Sequence, residues 1–375
     1  MRNTKLLFTP GPLTTSDTVK LAMMRDLGSR DTEFLEVVAH IRRRLLELGN
    51  AANGSYEAVP MQGSGTFAVE SVISSVVPRG GKLLVAVNGA YGQRMARIAS
   101  VLEIDTETVL FPENAPLNPS QIGEILAFDP TITHVGAVHC ETTTGMLNPV
   151  AALGTIASRH GCHFIVDAMS SFGGVPIDLA ASGIHFLVSS ANKCIQGVPG
   201  FGFVLARRDL LIQSAGRARS LSLDLVSQWK GLEADGQFRF TPPTHVLLAF
   251  SQALEELASE GGVAGRAARY AANHRELMNG MSALGFEPYL APEHQSHIIT
   301  SFHFPAHEKF DFPIFYRRLS DLGFIIYPGK VTGADCFRIG TIGHIFPNDV
   351  RDLVAAIRET LSGMQVDSAR ATVSA

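Results

Sequence analysis

Two charged residues follow apolar runs that have the composition of buried strands. Asp167 ends the run His163–Asp167, and Lys193 follows the run that begins at Phe186. In an open α/β sheet, the carboxyl ends of the strands form the edge where ligands bind. A carboxylate buried there must be paired or hydrogen-bonded, because burying it alone is very costly. A lysine among small and apolar neighbours is partly desolvated, which lowers the pKa of its amine and makes it a competent nucleophile.

The combination of these two residues indicates one chemistry. An aspartate that pairs with a pyridinium nitrogen and a lysine that forms a Schiff base are the two protein groups that pyridoxal phosphate requires. Taken singly, Asp167 could equally cap a turn, and Lys193 could simply be a solvated turn residue. The pair is more specific than either member, and it predicts a pyridoxal-phosphate site.

A glycine-rich stretch at residues 61–70 supplies donors for the cofactor phosphate. Its glycines let the backbone approach an anion, Ser64 and Thr66 carry hydroxyls, and the helix that begins there directs its N–H groups to the same place. The glycine spacing also satisfies a relaxed dinucleotide fingerprint, which expects a carboxylate at the end of the next strand. That strand ends in Asn88, so nicotinamide binding is the weaker alternative.

Three further residues could complete the site. Tyr91 follows strand 82–88, where its ring could stack on a pyridine, although a core or helix-start tyrosine is an alternative. Thr142 begins a run of three threonines after strand 134–139, and hydroxyls there suit a phenolate oxygen, although such residues are also ordinary in turns. Arg338 lies in an apolar strand, where its guanidinium could bind a substrate anion or close a structural salt bridge.

The elements that must position these residues follow from the pattern of apolar residues. Residues 55–206 alternate short β-rich runs with amphipathic segments, which is typical of parallel βαβ units covered by helices. We predict strands at 56–61, 82–88, 106–111, 134–139, 162–167, 185–189 and 201–206. We predict helices at 67–77, 121–128 and 151–159, and a further helix that begins after Asp31 as its N-cap. The fold class is therefore α/β, with a large, doubly wound, mainly parallel sheet.

A smaller α+β domain is predicted after residue 260, where the composition changes. Its elements are a helix near 263–284, strands at 298–304 and 336–339, and a helix near 312–322. Gly261 and Gly262 are the predicted hinge, because paired glycines interrupt a helix. We therefore predict a large cofactor-binding domain at 15–260 and a small domain formed by 1–14 and 261–375. Residues 366–375 are expected to be frayed.

The composition excludes several classes of protein. Of the 375 residues, 46% are hydrophobic and 18% are charged, which suits an enzyme with a large core. The net charge of −4 provides no field that would attract nucleic acid. Four dispersed cysteines without a Cys-x-x-Cys pair predict neither a disulfide nor a zinc site, and we expect no metal. No apolar run could span a membrane and no secretory signal is visible, so we expect a cytoplasmic protein.

With these residues in this order at successive strand ends, the sequence resembles the fold-type I pyridoxal-phosphate enzymes of the class V aminotransferase group. The resemblance covers nearly the whole chain, and segments 7–15, 61–70 and 190–200 are most similar to the 2-aminoethylphosphonate:pyruvate aminotransferases. It implies a catalytic pair, with Asp167 as the pyridinium partner and Lys193 as the Schiff-base lysine and proton-transfer base. The cofactor-binding residues that it further implies are Ser64, Gly65 and Thr66 at the phosphate, Tyr91 as the stacking ring, Thr142 near the ring oxygen, and Asn192 beside the lysine.

The resemblance also implies a reaction and its partners. The expected reaction is transamination of 2-aminoethylphosphonate with pyruvate, giving phosphonoacetaldehyde and L-alanine, with Arg338 as the substrate-anion residue. The phosphate site would be completed by the other subunit of a homodimer through Thr241, with Arg239 nearby. The expected partners are thus a small-molecule amino donor, a keto acid and a second copy of the chain, and neither nucleic acid nor a membrane.

Several alternatives stay open from the sequence alone. An alanine:glyoxylate or serine:pyruvate aminotransferase would share every cofactor residue named above. A cofactor-binding protein without turnover, or a dehydrogenase that uses the glycine-rich loop, would belong to a different class. Members of the family often carry aromatic residues where this chain has residues 28–31, including Arg30 and Asp31, so the substrate entrance is not determined.

Overall fold

Strands and helices alternate along the part of the chain that this computed structural model describes, which is residues 5–366 and residue 369. The strands are β1 (Leu6–Leu7), β2 (Tyr56–Gln62), β3 (Lys82–Val87), β4 (Asp105–Leu110), β5 (Ile132–Val138), β6 (Cys140–Glu141), β7 (Met146–Leu147), β8 (His163–Asp167), β9 (Phe186–Ser190), β10 (Phe201–Arg207), β11 (Ile299–His303), β12 (Phe324–Ile325), β13 (Tyr327–Pro328) and β14 (Cys336–Gly340). The α-helices are α1 (Asp17–Leu21), α2 (Thr32–Leu48), α3 (Gly65–Val76), α4 (Ala90–Val101), α5 (Pro119–Phe128), α6 (Val150–Arg159), α7 (Arg208–Gln213), α8 (Leu225–Asp235), α9 (Thr244–Ser259), α10 (Gly262–Ala283), α11 (Phe312–Asp321) and α12 (Pro347–Gly363).

One seven-stranded sheet contains all the strands predicted between residues 56 and 206. Its order is β2-β10-β9-β8-β5-β3-β4. Strands β9, β8, β5, β3 and β4 pair in parallel, whereas β10 is antiparallel to both β2 and β9. The predicted α/β class with a mainly parallel sheet is confirmed, but the inclusion of 201–206 among the parallel strands is wrong. Strand β9 returns to β10 through residues 191–200 without a crossover helix, and so short a return gives antiparallel pairing.

The central strands of this sheet are covered on both faces. Strand β9 is buried at every position, and so is β10 except at Arg207. Because successive side chains point to opposite faces, complete burial requires packed helices on each side. Helix α3 packs on β9 and β10, α4 on β3, and α6 on β8. At one edge, β4 is mostly exposed and carries acidic residues, which discourage pairing with another chain.

A second hydrophobic core belongs to the C-terminal part of the chain together with its N-terminal segment. It is formed around the three-stranded antiparallel sheet β11-β14-β13 and helices α10, α11 and α12. Strand β1 pairs in parallel with β12, and Phe8 lies in the same core. These contacts support the proposed division into residues 15–260 and residues 1–14 with 261–375. The first four residues lie outside the described part.

Most predicted elements begin and end within two residues of those observed. Asp31 is the N-cap of α2, and its side chain accepts a hydrogen bond from the Glu33 N–H at 3.2 Å. Gly261 and Gly262 have φ angles of 95° and 68° and separate α9 from α10, so the predicted interruption is present. Fraying is wrong for Val366 and Ala369, which are buried in the second core. The remaining residues of that predicted segment lie outside the described part.

Three observations concern membrane-spanning helices, metal-binding clusters and the cysteines. No helix in the described part is both long and apolar enough to cross a membrane. Within the same residues, no group of three or more His, Cys, Asp or Glu side chains is placed to hold a metal ion. The four cysteines, Cys140, Cys162, Cys194 and Cys336, are all free and buried.

Helix α10 supports the return between β9 and β10. Arg266, whose side chain is 1% exposed, donates from Nε to Glu260 Oε2 at 2.6 Å and from Nη1 to the Cys194 carbonyl at 2.6 Å. The Tyr270 hydroxyl donates to the same carbonyl at 3.1 Å. Helix α10 therefore fixes the main chain immediately after Lys193.

We predict that Arg266→Met destabilises the cofactor-free protein by about 3 kcal/mol, because it removes one partner of a buried ion pair and leaves Glu260 less well paired. Denaturant unfolding checks this. The matched control is Arg43→Met, at a side chain that is 65% exposed, which should change the unfolding free energy by less than about 0.5 kcal/mol. Equal effects of the two substitutions would contradict a structural role for Arg266.

Candidate active site

A cavity of about 200 Å³ lies at the carboxyl edge of the large sheet. Seven residues predicted from the sequence line it, namely Ser64, Gly65, Thr66, Tyr91, Asp167, Asn192 and Lys193. They follow strands β2, β3, β8 and β9, whose carboxyl ends point in the same direction. The topology thus brings together residues that are far apart in sequence, as expected for ligand sites in open α/β sheets.

Lys193 is held by main chain from the N-terminal segment. Its Nζ donates to the Pro10 carbonyl at 2.6 Å, and a Cβ added at Gly11 would lie 2.6 Å from the same nitrogen. Burial lowers the pKa of Lys193, although the nearby Tyr91, Cys194 and Asp167 oppose this. A lowered pKa makes the neutral, nucleophilic amine available closer to neutral pH.

Asp167 is a buried carboxyl with a single hydrogen bond in the described part of the chain. Its Oδ1 accepts from the Met169 N–H at 2.9 Å. Burial raises its pKa from 3.8 to about 6, while the Met169 bond and the charges of Arg94 and Lys193 oppose the shift. A carboxyl so poorly satisfied at a cavity wall is suited to receive a cationic group from a ligand.

The loop before α3 is shaped to receive an anion. Ser64 is the N-cap of α3, but its hydroxyl makes no capping hydrogen bond and is free to donate elsewhere. The Phe67 N–H donates to the Ser64 carbonyl at 3.0 Å, whereas the N–H groups of Gly65 and Thr66, at the start of the helix, have no backbone partner in the described part of the chain. At Gly65, a Cβ would lie 2.2 Å from the Met169 sulfur, so a larger residue there would displace the Met169 side chain, which also lines the cavity.

Arg94 also lines the cavity and was missed by the sequence analysis. It lies on α4 one helical turn after Tyr91, and its guanidinium carbon is 4.9 Å from the Tyr91 ring centroid. Its Nη1 donates to Thr66 Oγ1 at 3.2 Å. The three-residue spacing from Tyr91 could have revealed it, because residues so spaced share a helix face. The sequence analysis, however, did not predict α4.

Glu141 fixes the start of α4 and was also missed. Its carboxylate is fully buried and accepts hydrogen bonds from the N–H groups of Tyr91 at 3.1 Å and Gly92 at 3.4 Å. It also accepts from the Thr143 hydroxyl at 2.6 Å. Burial raises the pKa of Glu141, and these hydrogen bonds oppose the rise. The effect is to tie Tyr91 to the turn that contains Thr142.

Arg338 extends from strand β14 towards that turn. It is 2% exposed and donates from Nε to the Pro328 carbonyl at 3.0 Å and from Nη1 to the Thr142 carbonyl at 2.8 Å. Burial lowers the pKa of Arg338, and Tyr91 opposes this. Because these hydrogen bonds go to carbonyl oxygens, the salt-bridge alternative receives no support from them. Thr142 and Arg338 border the site without lining the cavity itself.

Two predicted residues lie outside the cavity of their own chain. Arg239 donates from Nη1 to the Leu221 carbonyl at 3.0 Å, and its guanidinium lies over Phe240, 5.0 Å from the ring centroid. Thr241 is exposed, and its carbonyl is 3.4 Å from the Gln62 side-chain nitrogen. Their predicted roles therefore depend on a second subunit.

Asn88, Arg30 and Asp31 were named in the sequence analysis without an assigned role in binding the cofactor. The Asn88 amide donates to the Ala115 carbonyl at 3.0 Å and to Asn148 Oδ1 at 2.8 Å, so it serves the fold at the end of β3. Asp31 caps α2, while Arg30 is exposed.

We predict that Asp167→Asn stabilises the cofactor-free protein above about pH 6. The folded-state pKa of about 6 lies above the unfolded value of 3.8, so ionisation of Asp167 destabilises the folded protein. This destabilisation begins near the unfolded pKa and grows as the pH rises through the folded pKa. Taken at about 1.4 kcal/mol per pKa unit, the cost is on the order of 3 kcal/mol near pH 8 and disappears below about pH 4. Denaturant unfolding of both proteins across this range measures the difference, and a difference that does not vary with pH would contradict it.

The sequence matches the family described as Aminotransferase class-V over residues 16–318. A 2-aminoethylphosphonate–pyruvate transaminase of Vibrio cholerae is 53% identical over 367 residues, which cover 97% of this chain and 100% of that protein. A transaminase of the same name from Syntrophobacter fumaroxidans is 56% identical over 360 residues, covering 96% of this chain and 97% of that protein.

Solved structures show the same architecture. The alanine–glyoxylate aminotransferase of Nostoc sp. superposes with a TM-score of 0.88 at 25% identity, covering 96% of this chain and 95% of that one. The pyridoxamine-pyruvate aminotransferase of Mesorhizobium loti gives a TM-score of 0.88 at 21% identity, covering 98% and 95%. The chain therefore belongs to the class-V aminotransferase family, and pyridoxal phosphate is the cofactor that this membership implies.

Proposed function

We propose that this protein transfers the amino group of 2-aminoethylphosphonate to pyruvate, producing phosphonoacetaldehyde and L-alanine. The observation that carries the proposal is Arg338, a buried guanidinium beside Tyr91 whose hydrogen bonds go to carbonyl oxygens. Its charge remains available for the anionic end of a substrate. The two relatives that are 53% and 56% identical over nearly the whole chain support the phosphonate as donor.

The residues around the cavity fit pyridoxal phosphate. Asp167 presents a poorly satisfied carboxyl for the ring nitrogen, and the loop before α3 presents the free Ser64 hydroxyl and helix N–H groups for the phosphate. Arg94 adds a positive charge beside Thr66. When bound, the cofactor supplies a carbonyl carbon that takes up the donor amine and a ring that accepts an electron pair.

Lys193 and Asp167 perform the acid–base work in this proposal. With its pKa lowered by burial, the Lys193 amine can take the proton from the donor carbon that bears the amino group. In the second half-reaction it can return a proton to the corresponding carbon of the acceptor. The Asp167 carboxylate would keep a proton on the ring nitrogen, which would favour electron withdrawal from the donor. Asn192 lies beside the lysine at the same cavity wall.

Tyr91 and Arg338 orient the two reactants. Glu141 holds Tyr91 at the start of α4, where its ring forms one wall of the cavity. Arg338 can chelate a phosphonate or a carboxylate through its planar fork, so one residue serves donor and acceptor in turn. Thr142 connects the two through its carbonyl contact with Arg338.

We place the reaction in a homodimer with shared sites. Thr241, contributed by the second subunit, would complete the phosphate site, with Arg239 nearby. Exposed apolar side chains on the segments next to Thr241 and the phosphate loop support an interface there: Phe67 is 50%, Leu221 78% and Phe240 45% exposed. The proposal also places the reaction in the cytoplasm, since four free cysteines suit a reducing compartment.

We predict that 2-aminoethylphosphonate with pyruvate gives a kcat/KM at least about tenfold above alanine or serine with glyoxylate, because loss of a charge-assisted contact costs about that much. A donor and acceptor panel with the cofactor-loaded enzyme measures it. Preference for the glyoxylate pairs would support an alanine:glyoxylate or serine:pyruvate aminotransferase instead. Absence of any spectral conversion by alanine would indicate an inert cofactor binder.

We predict that two inactive variants, Lys193→Ala and Thr241→Arg, recover activity when mixed. Each heterodimer regains one intact site, because the lysine comes from one subunit and the threonine from the other. Activity after subunit exchange, followed with differently tagged chains, measures the recovery. Proven exchange without recovery would contradict a shared site.

A further inference from the structure

A lysine from the small domain lies at the mouth of the site. Lys330 follows β13, and its Nζ is 5.6 Å from the centroid of the Tyr91 ring. The side chain is exposed, so its ammonium can reach a bound ligand without a burial cost. Burial raises the pKa of Tyr91, but a hydrogen bond with Thr142 and the charges of Lys193, Lys330 and Arg338 outweigh it, and the net shift is downward. Positive charge therefore converges on this ring.

The hydrogen bonds of Arg338 limit what it can offer a substrate. Its Nε is occupied by the Pro328 carbonyl and one Nη1 hydrogen by the Thr142 carbonyl. The donors that remain can chelate two oxygens of an anion through the outer edge of the fork. This satisfies a carboxylate, whereas a phosphonate presents a third oxygen and up to two negative charges. A second cationic donor is required to match it.

Arg94 is a further cation beside Tyr91, with its guanidinium carbon 4.9 Å from the ring centroid, but it is directed elsewhere. Its Nη1 donates to the Thr66 hydroxyl at 3.2 Å, at the start of α3, where the cofactor phosphate would bind. Lys330, by contrast, lies on the same small-domain hairpin as Arg338, eight positions earlier along the chain. Lys330 is therefore the cation placed to act together with Arg338.

The loop that carries Lys330 is fastened across the domain boundary. Thr332 donates from its N–H and from its hydroxyl to Glu113 Oε2, each at 2.9 Å. Glu113 lies in the segment that follows β4 of the large sheet. This double hydrogen bond restrains the loop, so that Lys330 is held near Tyr91 at a smaller entropic cost than a free surface lysine.

We propose that Lys330 is the second cationic residue of the substrate-anion subsite and that it favours a phosphonate over a carboxylate. Lys330 binds the third phosphonate oxygen while Arg338 chelates the other two, and the Glu113–Thr332 contact positions it. This inference rests on the proposed function and specifies which residue gives its donor preference.

The test compares Lys330→Gln with the wild-type holoenzyme in separate half-reactions, following the cofactor absorbance as 2-aminoethylphosphonate or alanine is added. Loss of a charge-assisted contact should lower kcat/KM for 2-aminoethylphosphonate about 10- to 100-fold, mainly through KM. Alanine, a carboxylate, should change by less than about threefold. Competitive inhibition by methylphosphonate should weaken in parallel, while inhibition by acetate should not.

Three further variants sharpen the result. Lys330→Arg keeps the charge and should retain most of the preference, and Lys309→Gln, at an exposed lysine that contacts Gln365, should behave as wild type. Glu113→Ala keeps Lys330 in the sequence but removes the hydrogen bonds that restrain its loop. It should raise KM for 2-aminoethylphosphonate more than for alanine. Equal effects of Lys330→Gln on both substrates, or none on either, would overturn the inference. Failure of the proposed function would appear separately, as a wild-type enzyme that does not use 2-aminoethylphosphonate.

Discussion

Buried charges at the carboxyl edge of the sheet are held by main-chain groups. Lys193 donates to the Pro10 carbonyl, Arg338 donates to two carbonyls, and Asp167 accepts one N–H. Had Lys193 and Asp167 formed a close ion pair, the strong attraction at low dielectric would have to be broken before either could meet a ligand. The main-chain dipoles satisfy the charges of these three side chains only partly, so each side chain can still interact more strongly with a ligand. Four separate segments of the chain supply these dipoles, at Pro10, Thr142, Met169 and Pro328.

Glu141 shows how such an arrangement is made rigid. A buried carboxylate is costly unless several donors satisfy it, and here the donors are the first N–H groups of α4 and the adjacent threonine. Helix α4 therefore cannot shift without exposing the charge to an apolar environment. Gly89 permits the approach, because a Cβ there would lie 2.3 Å from Glu141 Cγ. The position of Tyr91 is thus determined by electrostatics and by sterics together.

Much of this edge could be predicted because a polar residue that ends an apolar strand stands out. Asp167 and Lys193 were recognisable in this way, Thr142 and Arg338 were candidates from their residue types, and the resemblance to a known family selected among their alternative roles. Arg94 was missed because α4 was not predicted, although its spacing from Tyr91 carried the signal. Glu141 directly precedes the run of three threonines, yet its role depends on N–H groups from a helix 50 residues away. The direction of β10 was missed because direction depends on the connection, not on the strand's own composition.

The N-terminal segment has a consequence for how the molecule is made. Pro10 is synthesised 183 residues before the lysine that its carbonyl holds, and Leu6 more than three hundred residues before its strand partner Phe324. During translation, Leu6 therefore cannot form its strand pairing until nearly the whole chain has been synthesised. Contacts this distant in sequence slow folding, because the intervening loop must be closed first. The main-chain acceptor of Lys193 therefore belongs to a segment whose own strand pairing requires the C-terminal part of the chain, which links the surroundings of the lysine to completion of the chain.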